Sequence, residues 1–258
     1  MAILKWVITG SGKLFKYLFS NELVVKLNLK NVTLIGIDCV DEKRLEIAFN
    51  ICEGYANFGS KKLITQTKRE HTTKSGIQIL HTNKVKSLED YSRFVIKDLN
   101  KYVNTTYALV IQYDGFILNP DAWTNDFLKY DYIGAPLWIE SYNIQNGGFS
   151  LRSKKLLEIL SNDKKIKKFH PEDVMISKDY KTYLEKKGIV FAPETVASKF
   201  SIEGFKRKPW IYRKRNSSWN GQFGFHGFIT NIERWNCNTP EFEKYFNEIK
   251  KRRKQKHT

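Results

Sequence analysis

The sequence predicts an α/β fold, a mostly parallel sheet flanked by helices, and three observations predict it. Two near-continuous apolar runs, Val32–Ile37 and Tyr107–Gln112, have the character of strands buried on both faces. Strand-like and helix-like segments alternate between them, the order that gives parallel neighbours. Both runs lead into an acidic residue, Asp38 and Asp114, at the strand edge where such sheets take ligands.

Residues 1–31 read as a lead-in, with Leu23, Val24, Val25, Leu27 and Leu29 in a helix or strand. Gly10-Ser11-Gly12-Lys13 is a turn and not a phosphate loop, because Val7 stands where the first glycine is needed and Leu14 where Ser or Thr should follow the lysine. After the strand Val32–Ile37 comes a helix over about Asp41–Tyr55, then strands at Lys61–Thr67 and Gly76–Leu80. A second helix starts near Ser87 or Leu88, with Leu88, Tyr91, Val95, Leu99 and Tyr102 as one core stripe. Tyr107–Gln112, Tyr132–Ala135 and Gly148–Leu151 are further strands, and Ser153–Leu160 is a helix. The main domain spans 32–235. Residues 236–258 hold a short helix, about Pro240–Lys251, and a basic tail.

With 258 residues, 41% of them apolar and 28% charged, the chain can bury a core and is not a disordered polymer. No apolar run approaches the roughly 18 residues of a membrane span. Lys5, Lys13 and Lys16 break the N-terminus, which lacks a secretory h-region and cleavage site. Cys39, Cys52 and Cys237 are too few and scattered for a disulfide framework or a CxxC zinc site. A reduced, cytoplasmic protein is expected. The net charge is +17; six positive charges lie in 250–258, which leaves +11 spread over the body. Such a field attracts nucleic acid or an anionic membrane face, unless it is a compositional lysine bias without a partner.

Asp114, between a buried strand and a turn, either holds a divalent ion against a diphosphate or simply turns the chain. Glu172-Asp173 either complements a helix dipole or supplies a general base and its orienting neighbour. Asn146-Gly147-Gly148 allows a close backbone approach to a ligand or makes a hairpin-like turn. His226, among glycines and aromatics, is structural or completes a metal site. Lys206–Trp219 interleaves cations with Trp210, Tyr212 and Trp219, a mixture suited to a nucleic-acid groove or a membrane interface.

Taken in order, LVIQYDG at 109–115, DFLKYDYIGAP at 126–136, NGGFSLR at 146–152, PEDV at 171–174, ASKFSIE at 197–203 and FGFHG at 223–227 form a combined pattern. It resembles the poorly characterised glycosyltransferase-like domain family, related to nucleotide-sugar-dependent transferases of the GT-A fold, over roughly residues 32–230. The resemblance implies a GT-A-like (Rossmann-like) mixed, mostly parallel sheet. It also implies a nucleotide sugar, a UDP-sugar favoured, lying across the strand ends with Mn²⁺ or Mg²⁺ on its diphosphate. Asp114 matches the metal-binding acidic motif, but Gln112 occupies the place of its usual first Asp. His226 then becomes the second candidate ligand. Asp38, Gln112 and Asp114 border the donor, and Asn146, Gly147 and Gly148, with Trp210 and Tyr212, border the acceptor. Asp173, with Glu172 beside it, matches the base of inverting members.

The expected activity is therefore metal-dependent hexosyl or pentosyl transfer from a nucleotide sugar to a hydroxyl. Charge points to DNA with hydroxymethylated pyrimidines as acceptor, in the host cytoplasm if the chain is phage-encoded. Two other readings stand beside it. One is transfer to a lipid-linked or envelope glycan, with peripheral contact to an anionic leaflet. The other is a non-enzymatic nucleic-acid-binding module on a transferase scaffold.

Overall fold

A computed structural model describes residues 3–8, 14–19, 26–68, 70–139, 142–204 and 221–227. Strands β1 (Ile3–Ile8) and β2 (Leu14–Phe19) pair antiparallel as a two-stranded sheet. Residues 9–13, with the glycine-lysine segment, lie outside the described residues, as do Cys237, the segment 240–251 and the basic tail.

The main sheet has seven strands in the order β5-β6-β4-β3-β7-β10-β9. Its members are β3 (Leu27–Ile37), β4 (Ala56–Thr65), β5 (His71–Thr72), β6 (Gln78–His81), β7 (Tyr107–Ile111), β9 (Tyr132–Ile139) and β10 (Tyr142–Ser153). β6, β4, β3 and β7 run parallel, whereas β5, β10 and β9 each pair antiparallel with their neighbours. The sheet is thus mixed, as expected. A second sheet holds β8 (Gly115–Ile117), β11 (Ser201–Gly204) and β12 (Gly224–Gly227), in the order β11-β12-β8.

The apolar runs fill both faces of the parallel strands. Leu34, Leu109 and Ile111 pack with Leu45, Ala48 and Phe49 of helix α1 (Glu42–Tyr55). Their neighbours Ile35, Ile37, Ala108 and Val110 face Phe94 and Val95 of α2 (Leu88–Lys97) on the other side. Alternate residues serve opposite layers, and each fully buried Leu, Ile or Phe contributes about 1.5–3 kcal/mol. A third cluster forms where α3 (Lys154–Asn162) packs with Ile166, Ile176 and Leu184.

From β3 the chain builds outward through β4 and β6, then returns to the other side of β3 with β7. The carboxyl ends of β3 and β7 therefore flank the point where the winding reverses, the crevice that open α/β sheets offer to ligands. Among the described residues no helix is long and apolar enough to cross a membrane.

Several boundaries differ from expectation. β3 starts at Leu27 because Asn28, Lys30 and Asn31 hide the first part of the strand, and an irregularity falls between Leu29 and Thr33. α2 is capped by Ser87, whose side chain accepts the Asp90 N–H. Its first residue, Leu88, is 73% exposed and not core, because it lies in the opening turn before the helix reaches the sheet. The helix ends at Lys97, and Leu99–Tyr102 is a 3₁₀ turn. β10 runs over twelve residues, so Asn146-Gly147-Gly148 sits inside a bulged strand and not in a hairpin turn.

Candidate active site

The parallel edge is built first. Asp38 follows β3, and its Oδ1 accepts the Val40 and Asp41 N–H groups at 2.9 Å each, turning the chain into α1. Arg44, in the first turn of that helix, closes on the same carboxylate with Nε at 2.5 Å and Nη2 at 3.1 Å. Its guanidinium also lies 3.9 Å above the centroid of the Tyr113 ring. The Asp38 carboxylate thus holds Arg44 against Tyr113 at the mouth of the crevice.

Gln112, Tyr113 and Asp114 follow β7. Gln112 donates through Nε2 to Tyr91 Oη at 3.0 Å, and its Oε1 lies 3.0 Å from His226 Nε2. β12 brings His226 there, opposite Gly115 of β8 and Glu203 of β11. His226 Nδ1 lies 2.9 Å from Glu203 Oε2, and Nε2 lies 3.5 Å from Asp114 Oδ1. That Asp114 oxygen is buried and has no hydrogen-bond partner. Gly148 is required here, because a methyl group on it would run into the His226 imidazole.

Electrostatics follow from this packing. Burial raises the Asp114 carboxyl, with His226 opposing, and burial raises Glu203 likewise. Burial alone would favour neutral His226, but the Glu203 and Asp114 charges outweigh it and push the imidazole up to about 9. Protonated His226 explains how both ring nitrogens can face oxygens, Nδ1 the Glu203 carboxylate and Nε2 the Gln112 and Asp114 oxygens.

Beside this cluster stands a second one. Arg152, in β10, is wholly buried. It donates from Nε to Ser150 Oγ at 2.9 Å, and from Nη2 to Glu172 Oε1 at 2.9 Å and the Gly147 carbonyl at 3.2 Å. Its Nη1 is buried without a partner. Glu172 Oε2 accepts the Asp173 N–H at 2.9 Å. The two acids open a short helix, α4 (Glu172–Val174), which runs into a π turn, Met175–Asp179. Ser177 from that turn donates to the Asp173 carbonyl at 2.6 Å and accepts the Gln145 N–H of β10 at 3.1 Å. Asp173 is therefore pinned at its main chain, with its carboxylate accepting the Val174 N–H. Burial, then the Glu172 charge, pushes that carboxyl up to about 7. The Gly147 N–H acts on it in the opposite direction.

The structure thus gathers Gln112, Asp114 and His226 in one cluster and Asn146, Gly147, Gly148, Glu172 and Asp173 in the adjoining one. Asp38 lies at the next strand end. Trp210 and Tyr212 lie outside the described residues. Gly147 and Gly148 make room for the protein's own Glu172 and His226 side chains. The sequence assigns no role to Arg152, Glu203 or Arg44, and places Tyr91 only in the core stripe of α2. The usable signal is a charge that directly follows a buried apolar residue in a strand, as in Leu151-Arg152 and Ile202-Glu203.

Among the described residues no group of three His, Cys, Asp or Glu is arranged to hold a metal ion. The available donors are Asp114 Oδ1, His226 Nε2 and the Gln112 amide oxygen, with Glu203 fixing the imidazole from behind. The orphaned Asp114 oxygen and this mixed set fit a hard divalent ion that takes its other oxygens from phosphates. His226 would give up its Nε2 proton to such an ion.

No curated protein matches the chain. Every residue of the two clusters lies within 74–226, the stretch matched by a protein-family comparison, whereas Asp38 and Arg44 lie before it. That match covers more than half of the chain, which belongs to the family described as "Protein of unknown function (DUF5672)".

Proposed function

We propose that the protein is a metal-dependent glycosyltransferase of GT-A-like architecture that moves a sugar from a nucleotide sugar to an acceptor hydroxyl. One observation carries the reading: the Asp173 carboxyl, pushed up to about 7, is held beside the Asp114–His226 cluster at the reversal of a mixed α/β sheet. A carboxylate titrating near neutrality can take a hydroxyl proton and release it again. Its charge is felt at His226, so the two clusters share one site.

In this reading Arg44 and Tyr113 border the nucleotide at the carboxyl ends of β3 and β7. Asp114 and His226, with Gln112, hold Mn²⁺ or Mg²⁺, which when bound neutralises charge on the departing diphosphate. Asp173 takes the proton of the attacking hydroxyl. Glu172, tied to Arg152, fixes the start of α4 and keeps Asp173 partly protonated until the acceptor arrives. Asn146–Gly148, against Asp173 and His226, forms the wall between donor and acceptor. The acceptor proposed from charge is hydroxymethylated pyrimidine in DNA.

The test incubates the full chain with Mn²⁺, UDP- and GDP-sugars, and DNA containing hydroxymethylcytosine or hydroxymethyluracil, followed by digestion and mass spectrometry of the nucleosides. A nucleoside heavier by one sugar, lost in Asp173→Asn and Asp114→Asn, is the expected result. Nucleotide release without a heavier nucleoside would keep the transferase and remove DNA as acceptor. DNA binding with neither product would replace the transferase with a binding module.

A further inference from the structure

A groove of about 420 Å³ lies along the outer side of α2, away from the two clusters. Arg93 and Lys97 of α2 form one wall, and the loop after α3, with Asp163, Lys164, Lys167 and Phe169, forms the other. Its only carboxylate is engaged elsewhere. Asp163 Oδ2 accepts from Tyr183 Oη at 2.7 Å and pairs with Lys187 Nζ at 2.9 Å, while Oδ1 accepts the Lys165 N–H. These bonds, that from Tyr183 foremost, hold Asp163 well below the usual carboxylate range. Lys97 is a structural cation, donating to the Leu160 and Asp163 carbonyls at 2.8 and 2.9 Å. Arg93, Lys164 and Lys167 are exposed and have no acidic partner among the described residues.

We propose that this groove holds the phosphodiester backbone of a nucleic-acid strand. One feature favours a strand over a membrane. The loop has no apolar tip to insert, since Ile166 is buried and the Phe169 ring carries Arg93 at 5.0 Å and Lys97 at 5.9 Å. A guanidinium braced on an aromatic ring with two free ammonium groups is a phosphate-binding set.

The groove is joined to the second cluster through the chain. Its loop continues to His170, whose Nδ1 meets Ser92 Oγ at 2.9 Å, and then directly to Glu172 and Asp173. On α2, Tyr91 reaches the Gln112 cluster while Arg93, two residues on and so on the opposite face of the helix, lines the groove. This track rests on the DNA-acceptor part of the proposed function and not on the transfer chemistry.

The experiment is fluorescence anisotropy of a labelled 20-nucleotide single-stranded DNA with the full chain, over a series of salt concentrations. Arg93→Ala/Lys164→Ala/Lys167→Ala should weaken binding at least tenfold and flatten the slope of log K against log salt by about 2, three cations at roughly 0.7 each. Lys26→Ala/Lys43→Ala/Lys74→Ala removes the same charge from exposed positions outside the groove and should change binding by less than threefold. The double variant Lys164→Ala/Lys167→Ala, which leaves the Arg93 stacking intact, should show about two-thirds of that slope change, two cations at roughly 0.7 each. Equal losses in the two triple variants, no loss in the groove variant, or binding to phosphatidylglycerol vesicles in place of DNA would each overturn the proposal. Groove-dependent binding without turnover on any sugar donor would sink the transferase and keep the track. Transfer to DNA that is indifferent to the groove triple would do the reverse.

Discussion

The two halves of the main sheet supply polar residues in opposite ways. In the parallel half, β6, β4, β3 and β7, the groups at the site follow the strands: Asp38 after β3, and Gln112 and Asp114 after β7. In the antiparallel half and the small sheet they stand inside strands: Arg152 in β10, Glu203 in β11, His226 in β12. A residue beyond a strand end can use turn backbone for its hydrogen bonds, as Asp38 does. A charge within a strand must find a side-chain partner, and Arg152 finds Glu172 while His226 finds Glu203. Strand-end positions can thus be exchanged at modest cost, whereas mid-strand charges are locked in pairs.

The largest effect is expected at Asp173, the group that the antiparallel half holds in place. Asp173→Asn should lower transfer by about 10²–10⁴-fold. Because burial raises this carboxyl to about 7 while in the unfolded chain it ionises near its ordinary value, stability is lost as pH rises from about 4 to about 7 and the loss is complete above that. The variant should therefore melt at least roughly 2–4 °C higher than the wild type at pH 8, as calorimetry would show, with a smaller gap at about pH 5 and none below about pH 4. The wild-type rate should rise with pH through about 7, since the base acts ionised; a rate flat from pH 5 to 8 would remove Asp173 from that role.

Next comes the buried pair. Arg152→Met leaves Glu172 as an uncompensated buried charge and should cost about 3–5 kcal/mol in urea unfolding. Arg152→Met/Glu172→Leu should recover most of that stability without recovering transfer. If the single variant is nearly neutral, the mid-strand charges are no more locked than those at strand ends. Gly148→Ala should cost about 1–3 kcal/mol, because the methyl group must displace the His226 ring. The smallest change belongs to the parallel half: Asp38→Asn keeps an acceptor for the Val40 and Asp41 amides and should lose only about 1–2 kcal/mol. A larger loss at Asp38 than at Arg152 would reverse the comparison.

The same difference explains what could be read without coordinates. Strands β3 and β7 are legible because both faces are apolar, and Asp38 and Asp114 stand where those runs stop. The Ser87 cap and the buried Val95 and Leu99 follow from helical spacing, although Leu88 at the head of the stripe is exposed. Arg152 and Glu203 are not legible in the same way. A charge beside a buried apolar residue in a strand normally marks a solvent-facing position, and the partners that make burial tolerable lie twenty or more residues away, at Glu172 and His226. Asn146-Gly147-Gly148 carries turn composition but continues a strand, because its missing side chains are filled by Glu172 and His226 from elsewhere in the chain.

Four side chains, Glu203, His226, Gln112 and Tyr91, form an unbroken hydrogen-bonded line from the small sheet, past the end of β7, to helix α2. Whatever occupies His226 Nε2 ends its hydrogen bond to Gln112 Oε1 and so acts on the amide that meets the Tyr91 phenol. Tyr91 is thereby a natural gauge, placed one helix away from the event it registers.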